Sequence, residues 1–485
     1  MRVDRFEKFV SCIVYLPREM VRAEIRRRIE RILGQALDSD DFEAATQFLS
    51  ESVLARIHMV FRITNQAFKE VSRESLEAEI IEQTRDWAQR FAESCLEHFG
   101  DEQGRRLLQV YQYAFPGSYR DRYSPLQAVY DLDLVRNLTE ENEISLCLFH
   151  EPGAPEDELR LKLFHLQNSL ELSNIIPLLE NLGSRVLVEH PFRLEPHGKP
   201  DIWVHDFTLR QALPKDHPLD ISSVRQAYHD AFRAVWLGQA ESDSFNRLVF
   251  AARIDWRTVA LLRAYARYLK QLGLPFSLDF IAHVLGSHLN LCRELVALFH
   301  CYFDPRRQEK ESHNRLAEKI TNGIKAALDQ VDNLNEDQVL RSYMEMINAT
   351  LRTNFFCRDS EGNHPPVIAF KVNTRQLEFA PEPRPEYETY VYSPRVEGVH
   401  LRGGKVARGG IRWSDRQEDF RTEVLGLVKA QQVKNAVIVP TGAKGGFVAR
   451  NAYSLTTRED FLQEGEACYR LFIEGLFDLV DNRVG

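Results

Sequence analysis

The sequence predicts an α+β multidomain protein, and three observations support this class. The 485 residues are too many for one hydrophobic core and suggest about three domains at roughly 100–200 residues each. Strand and helix patterns alternate through the first part of the chain and return in its last quarter. The stretch between the first part and the last quarter of the chain shows only the apolar spacing of helices. We therefore expect four parts, residues 1–140, 141–220, 221–358 and 359–485.

The composition excludes several classes of protein. Hydrophobic residues make up 44% of the chain and charged residues 27%, as in an ordinary globular protein. The net charge of -9 argues against a basic surface for nucleic acid, and no stretch approaches the roughly 20 apolar residues of a membrane span. The seven cysteines are scattered, without a CxxC pair or a Cys/His metal spacing. We expect reduced thiols, no metal site and a cytoplasmic location.

The first part is predicted to be a small α+β module followed by helices. Pro17 closes the first strand, and Ser72 or Ser75 is placed to cap a long helix that runs to about Phe99. The other predicted elements are strands at Phe9–Leu16 and Leu54–Ile63, a helix with Val21, Ile25, Ile29 and Leu33 between them, and short helices at Gly104–Ala114 and Ser124–Leu132.

The second part repeats the α+β theme, and the third is predicted to be helical. The second part has the predicted order strand, strand, helix, strand, strand, at Ser145–His150, Leu159–Leu166, Ser173–Leu182, Arg185–Glu189 and Ile202–Leu209. In the third part apolar residues recur at helical spacing, which favours a helical bundle or spacer over a ligand site.

The fourth part contains a dense run of glycines and cations between His400 and Gly446. Ser414 and Gln417 form a capping box that predicts a helix at about Arg416–Val433. A short buried strand at Ala436–Pro440 and a turn at Thr441–Gly446 are expected after it. The remaining predicted elements are strands at Val367–Val372 and Tyr387–Tyr392 and a final helix at Arg458–Val480.

This run has the residue types of a site for a small molecule with several negative charges. Gly409 and Gly410 allow the backbone to approach a ligand closely, because glycine has no Cβ. Arg408 and Arg412 flank the pair, and an arginine can hold a carboxylate with two hydrogen bonds. Two plainer interpretations stay open at this point. An Arg-Gly-Gly segment can be an exposed loop, and Gly-Ala-Lys-Gly-Gly can hold an anion by its backbone amides.

Lys434 and Lys444 lie on either side of the predicted buried strand. A helix end, a short strand and a tight turn could bring both amines into one cleft. Two lysines close together in a partly dry cleft depress one another's pKa, which would make one of them a usable base.

The segment KVARGGIRWSDRQEDFRTEVLGLVKAQQVKNAVIVPTGAKGGFV resembles the substrate-domain signature of glutamate dehydrogenases, most closely the very large NAD-specific bacterial type. SYRDRYSPLQAVYDL, IIPLLENLGSRVLVEHPF and YVYSPRVEGVHLRGG are similar to segments that precede the catalytic region in that type. The resemblance implies an ACT-like regulatory module in residues 1–140 and a second small α+β module in 141–220. It implies the N-terminal part of an α/β dehydrogenase substrate domain, incomplete, in 359–485.

The resemblance also implies an activity, the oxidative deamination of L-glutamate to 2-oxoglutarate and ammonium, with NAD taking the hydride. By motif match, Lys434 would hold the α-carboxylate, and Lys444 would be the catalytic lysine that activates water at the imino carbon. Arg408 stands where many members of the family have a lysine that binds the distal carboxylate. An amino-acid effector on the ACT-like modules and a homo-oligomeric assembly of the complete enzyme are further expectations.

The sequence departs from the family's pattern at two places. Thr-Gly-Ala rather than Gly-Gly-Ala precedes Lys444, and Asp481 does not match the motif of the family's catalytic aspartate. No GxGxxG follows a strand, so a dinucleotide fingerprint is not found. Our hypothesis is that the chain is a portion of a longer enzyme, inactive alone. The alternative is a non-catalytic regulatory or scaffold protein that retains an anion-binding or amino-acid-binding substrate domain.

Overall fold

The computed structural model describes residues 1–6, 8–18, 21, 23–48, 53–63, 72–84, 86–211, 221–306, 310–404, 409–434 and 442–480. These residues form two compact units. Unit 1 comprises Met1–Ser145, Phe164–Asn168 and Phe192–Val204, and unit 2 comprises Leu146–Leu163, Ser169–Pro191 and His205–Gly485. Helices and sheets occur in both, which confirms the α+β multidomain class. The boundaries expected after residues 140, 220 and 358 stay predictions.

The N-terminal sheet is antiparallel, with the strand order β1-β2-β4-β3. Its central strands alternate buried and more exposed residues, so that one face packs on α1 and α2 around Val10, Ile57 and Phe61. The elements are β1 (Arg2–Val3), β2 (Phe9–Pro17), α1 (Ala23–Leu37), β3 (Phe42–Phe48), β4 (Leu54–Arg62) and α2 (Arg73–Thr84).

Four helices follow, and they correct one expectation from the sequence. The long helix expected from Ser72 or Ser75 to about Phe99 is two helices, because Asp86 has an extended backbone conformation immediately before the second one. The rings of Trp87, Phe91, Phe115 and Tyr119 pack into an aromatic cluster in the core of this region. The helices are α3 (Trp87–Phe99), α4 (Asp101–Tyr111), α5 (Gly117–Arg122) and α6 (Pro125–Val135).

The second sheet has the order β5-β6-β8-β7. Its elements confirm the predicted order of two strands, a helix and two strands. They are β5 (Ile144–Phe149), β6 (Glu158–Leu166), α7 (Leu172–Asn181), β7 (Ser184–Leu194) and β8 (Ile202–Gln211).

The following segment is helical, as its apolar spacing predicts. Within it, α10 is buried almost all round, so it is a core helix rather than part of an exposed spacer. The helices are α8 (Ile221–Trp236), α9 (Leu248–Ala251, preceded by a 3₁₀ turn at Ser244–Arg247), α10 (Trp256–Gln271), α11 (Leu278–Ser287), α12 (Leu289–Phe303), α13 (Lys310–Leu328) and α14 (Leu334–Ala349). No helix in the described segments is long and apolar enough to cross a membrane.

The C-terminal sheet has six strands in the order β13-β14-β12-β11-β10-β9, antiparallel except for the parallel pair β13 and β14. Gly446 packs on α15, whereas Gly398 packs on Phe472 of α16. These glycines lie on adjacent rungs of the β12–β14 ladder, so the two helices cover opposite faces. The elements are β9 (Thr350–Thr353), β10 (Ile368–Val372), β11 (Tyr387–Tyr392), β12 (Val396–Arg402), β13 (Ile411–Trp413), α15 (Phe420–Lys434), β14 (Ala443–Ala449) and α16 (Arg458–Phe477).

Two expectations for this sheet are wrong, and one lies outside the described residues. The turn expected at Thr441–Gly446 is occupied from Ala443 onward by strand β14, which pairs with β12 over seven residues. The capping box at Ser414 does not begin a helix, because α15 begins at Phe420 and the backbone N–H of Arg421 donates to Gln271 of α10 at 3.1 Å. The strand expected at Ala436–Pro440 is outside the described residues.

Two groups of charges, one fully buried and one partly buried, link α10 to the C-terminal sheet. Arg421 and Glu388 are fully buried and paired, and the hydroxyl of Tyr268 donates to the same carboxylate at 2.6 Å. In the second group Arg267 donates to Glu241 at 2.5 Å and to Glu397 at 3.1 Å.

Arg450 completes the second group, since its guanidinium lies within ion-pair distance of both Glu241 and Glu397. Although burial alone would raise the pKa of Glu241, the guanidinium groups of Arg267 and Arg450 lower it to about 2. The acid is therefore ionised throughout the neutral range, and the group of charges stays paired.

The Gly446→Ala variant is expected to lower the free energy of unfolding by about 1–3 kcal/mol, because overpacking of a filled core strains its neighbours. A Cβ at position 446 would lie 2.3 Å from Cγ2 of the buried, β-branched Val424. Urea unfolding followed by circular dichroism measures the change.

Gly426→Ala is the matched control within α15. A Cβ there meets no atom within 4 Å, and alanine favours the helix by up to about 1 kcal/mol. Equal stabilities of the two variants would contradict the close packing of α15 on β14.

Candidate functional site

Lys444 lies on β14, one strand in from the edge of the C-terminal sheet. It is opposite Leu401 of β12, and its side chain is partly buried. Because residues alternate along a strand, Lys444 shares a face with Gly446, which is the face covered by α15. Arg412 of β13 pairs with Gly446 and lies on the same face. The structure therefore brings two of the predicted site cations to one side of the sheet.

The glycine pair that precedes β13 lies against the beginning of β14. A Cβ on Gly409 would be 1.5 Å from the carbonyl oxygen of Ala443, a position that no side chain can occupy. The backbone N–H of Gly445 donates to the carbonyl oxygen of Gly410 at 3.1 Å. Glycine is thus required at position 409 for the approach of one backbone segment to another. The role of Gly409 and Gly410 in substrate binding stays a prediction.

Helix α15 runs antiparallel to β14 on this face. Val424 is nearest to Gly446, whereas Gln431, two turns later, is nearest to Gly442. The last turn of α15 therefore reaches the end of β14 that carries Lys444. Lys434 is the last residue of this helix, but its side chain and all of Arg408 lie outside the described residues. The distance between the Lys434 and Lys444 amines stays untested.

Arg412 has a partner that the sequence did not indicate. Its Nε lies 2.7 Å from a carboxylate oxygen of Glu423 in α15, within ion-pair distance, and the arginine side chain is 54% exposed. The hydroxyl of Ser414 donates to the other oxygen of Glu423 at 2.6 Å. Glu423 therefore holds Arg412 against the first turns of α15 and offsets part of its charge.

His400 of β12 is a second residue that the sequence did not single out. It pairs with Gly445, and its Cδ2 would lie 3.3 Å from a Cβ at that position. Burial, together with the Arg402 guanidinium, lowers the pKa of His400 to about 4, so the ring is neutral at pH 7. It lies on the face of the sheet opposite Lys444. The sequence does contain a signal for the position of His400. Polar His400 stands between apolar Val399 and Leu401, and this alternation predicts a strand with the ring on the face opposite to its two neighbours.

The described residues do not supply a dinucleotide-binding fold. The C-terminal sheet is mainly antiparallel, with one parallel pair of three residues, whereas that fold needs a parallel sheet with a glycine-rich turn after its first strand. Four glycines near Lys444 are held against protein backbone or side chains instead: Gly409, Gly442, Gly445 and Gly446. The described cations on this face are Lys444 of β14 and Arg412 of β13, beside the last turn of α15.

Five family models match successive parts of the chain. Residues 323–485, which include the whole site, match the catalytic domain of bacterial NAD-glutamate dehydrogenase. The other matches are to the glutamate dehydrogenase ACT2 domain (residues 1–88), helical motif 2 (95–138), ACT3 domain (143–224) and helical motif 3 (240–305). These matches assign a segment of a dehydrogenase catalytic domain to residues 323–485, preceded by ACT domains and helical motifs.

Curated relatives agree with these matches along the whole chain. The chain is 46% identical to an NAD-specific glutamate dehydrogenase of Halomonas elongata, over 100% of the chain and 30% of the relative. It is 45% identical to that of Pseudomonas aeruginosa and 37% identical to that of Mycobacterium tuberculosis, each over 99% of the chain and 30% of the relative. The chain belongs to the family of bacterial NAD-specific glutamate dehydrogenases, and it spans 30% of the length of these relatives.

Proposed function

We propose that the chain forms the regulatory and substrate-binding part of an NAD-dependent glutamate dehydrogenase, which deaminates L-glutamate oxidatively to 2-oxoglutarate and ammonium. The observation that supports this most is the convergence on one face of the sheet of Lys444, Arg412 and the last turn of α15. The similarity of the chain to NAD-specific glutamate dehydrogenases is the second support.

A dicarboxylic substrate accounts for the number of cations in this region. Lys434 is proposed to hold the α-carboxylate, and Arg408 the distal carboxylate. Gly409 and Gly410 would present backbone to the substrate, and Arg412, held by Glu423, would contribute positive potential beside it. Lys444 is proposed to be the catalytic residue, whose amine takes and returns a proton at the water that attacks the imino carbon.

NAD is proposed as the hydride acceptor of the whole enzyme, as the names of the relatives indicate. When bound, it accepts the hydride that leaves the α-carbon of glutamate. We assign no residue of this chain to it, because the described sheet lacks the parallel strands and the glycine-rich turn of a dinucleotide site.

The regulatory and cellular parts of the proposal rest on the family. The ACT matches at residues 1–88 and 143–224 support an amino-acid effector. We further propose a homo-oligomeric enzyme in the cytoplasm, a location that fits the seven scattered cysteines of the sequence, which has no CxxC pair.

Titration calorimetry of the 485-residue chain with 2-oxoglutarate tests the substrate site. Binding by the wild type is expected, and Lys434→Ala is expected to weaken it by about tenfold or more, since a hydrogen bond to a charged group is worth roughly 1.5–3 kcal/mol. Lys429→Ala is the matched control, because this lysine is exposed and lies five residues earlier on the same helix. Unchanged affinity in Lys434→Ala would contradict its assignment to the α-carboxylate.

A further inference from the structure

A cavity of about 390 Å³ lies within unit 2, away from the strands that carry the proposed glutamate site. Its walls come from the end of α7, the beginning of β7 and the end of β8 on one side. The 3₁₀ turn before α9, α9 itself and α11 form the other side. The volume falls in the range of roughly 300–1,000 Å³ that is usual for small-molecule sites.

Two arginines line this cavity, Arg247 and the exposed Arg185. Arg247 lies on the wall and is only partly exposed. Among the residues that the structure describes, its guanidinium group makes no hydrogen bond and no ion pair. Two neighbouring arginines differ from it in this respect. Arg263 is paired with Asp243 at 2.7 Å, and Arg293 donates to backbone carbonyls of Ala251 and Ala252 at 3.0 Å.

The surroundings leave room beside this cation for a ligand. Gly183 and Gly286 flank Arg247, and a Cβ on either glycine would have an Arg247 atom as its nearest neighbour, at 3.5 Å and 3.8 Å respectively. No side chain therefore separates the arginine from the cavity at these two positions. The conformation of Gly183, with φ of 89°, also favours glycine.

The remaining walls are mainly apolar, and the exposed side chains of Glu180 and Arg185 lie at their margin. Phe250 and Leu289 contribute buried apolar surface, and the Nε2 of Gln211 donates to the hydroxyl of Ser184 at 3.0 Å. A partly buried guanidinium costs free energy unless an anion accepts its hydrogen bonds. An anion that also has an apolar body would satisfy the cation and cover the apolar walls.

We propose that this cavity binds a small organic carboxylate with an apolar body, and that Arg247 holds the carboxylate. The planar guanidinium can donate two parallel hydrogen bonds to such a group. Phe250 and Leu289 contact the apolar part of the ligand. This site is separate from the proposed glutamate site, and its occupation does not depend on dehydrogenase activity.

Binding of cyclohexanecarboxylate to the 485-residue chain, measured by titration calorimetry, tests the proposal. The wild type is expected to bind cyclohexanecarboxylate. Its affinity for cyclohexanecarboxamide, the neutral counterpart, and for inorganic phosphate is expected to be much lower. Arg247→Met removes the charge but keeps an unbranched side chain, and is expected to weaken binding about tenfold or more. Equal binding of the amide, or of phosphate, would overturn the proposed ligand class.

A second variant keeps the test valid if Arg247→Met fails to fold. Gly286→Leu places a side chain in the cavity without a backbone clash, since its Cβ meets nothing closer than 3.8 Å, and it is expected to abolish binding. Arg225→Met, on an exposed arginine of α8 that does not line the cavity, is the control and should bind as the wild type does. Lys444→Met should also leave binding unchanged, which separates this site from the glutamate site. Wild-type affinity in both Arg247→Met and Gly286→Leu would overturn the proposal.

Discussion

Replacing Lys444 by alanine is expected to reduce the kcat of glutamate deamination by about a thousandfold or more, measured as NADH formation by the complete enzyme. A general acid–base group contributes roughly 10²–10⁴-fold to a rate, and an amine beside a developing charge adds electrostatic stabilisation. The pairing of β14 with β12 uses backbone groups, so the variant should keep its fold. Lys444→Arg should not restore the rate, because a guanidinium group does not give up its proton.

Lys429→Ala provides the control for this prediction, since it removes an exposed lysine from α15 without touching the sheet. Its kcat should equal that of the wild type. If Lys444→Ala retained more than about a tenth of the wild-type kcat, a loss far below the range for acid–base catalysis, the catalytic role of Lys444 would be wrong. A complete wild-type protein that binds 2-oxoglutarate but does not turn over glutamate with NAD would instead favour the non-catalytic, regulatory alternative.

Glu388→Gln is expected to destabilise unit 2 by about 3–5 kcal/mol, the usual cost of leaving one partner of a buried ion pair without its counter-charge. Both Glu388 and Arg421 have side chains with 0% exposure. The substitution keeps the shape of the acid but leaves the guanidinium of Arg421 buried without a counter-charge. Urea unfolding, followed by tryptophan fluorescence and circular dichroism, measures the loss.

Two further variants show whether charge rather than packing is responsible. The double variant Glu388→Gln/Arg421→Met removes both charges and should recover much of the lost stability, because apolar replacements of buried pairs are often neutral. Glu466→Gln breaks an exposed pair with Arg470 and should have little effect, as is usual for surface pairs. A small effect of Glu388→Gln alone would show that the pair is not isolated from water in solution.

The sequence predicts best those elements whose signal is local. Apolar alternation indicates β2 and β4 because one face of that sheet is buried and the other is not. The helical segment is evident because its apolar spacing is repeated over many turns. Strand β3 was missed because its residues are only partly buried, which leaves no strong alternation.

The elements around the site were harder to predict because distant contacts determine them. Helix α15 begins at Phe420 partly because Gln271, 150 residues away, accepts from the N–H of Arg421. Strand β14 was expected to be a turn because of its glycines. In the structure Val424 packs against Gly446, and His400 and Ile411 pack against Gly445. The sequence located the glycine and cation run, but not the Glu423 that holds Arg412.

The links between α10 and the C-terminal sheet have a mechanical consequence. Arg267 holds Glu241 and Glu397, while Tyr268 and Gln271 hold Glu388 and the beginning of α15. Because these contacts come from residues on one side of α10, a translation or rotation of the helix would also move the sheet. Any displacement imposed on α10 would therefore reach the strand of Lys444 as a rigid shift, and the two elements should exchange their amide hydrogens as one cooperative block.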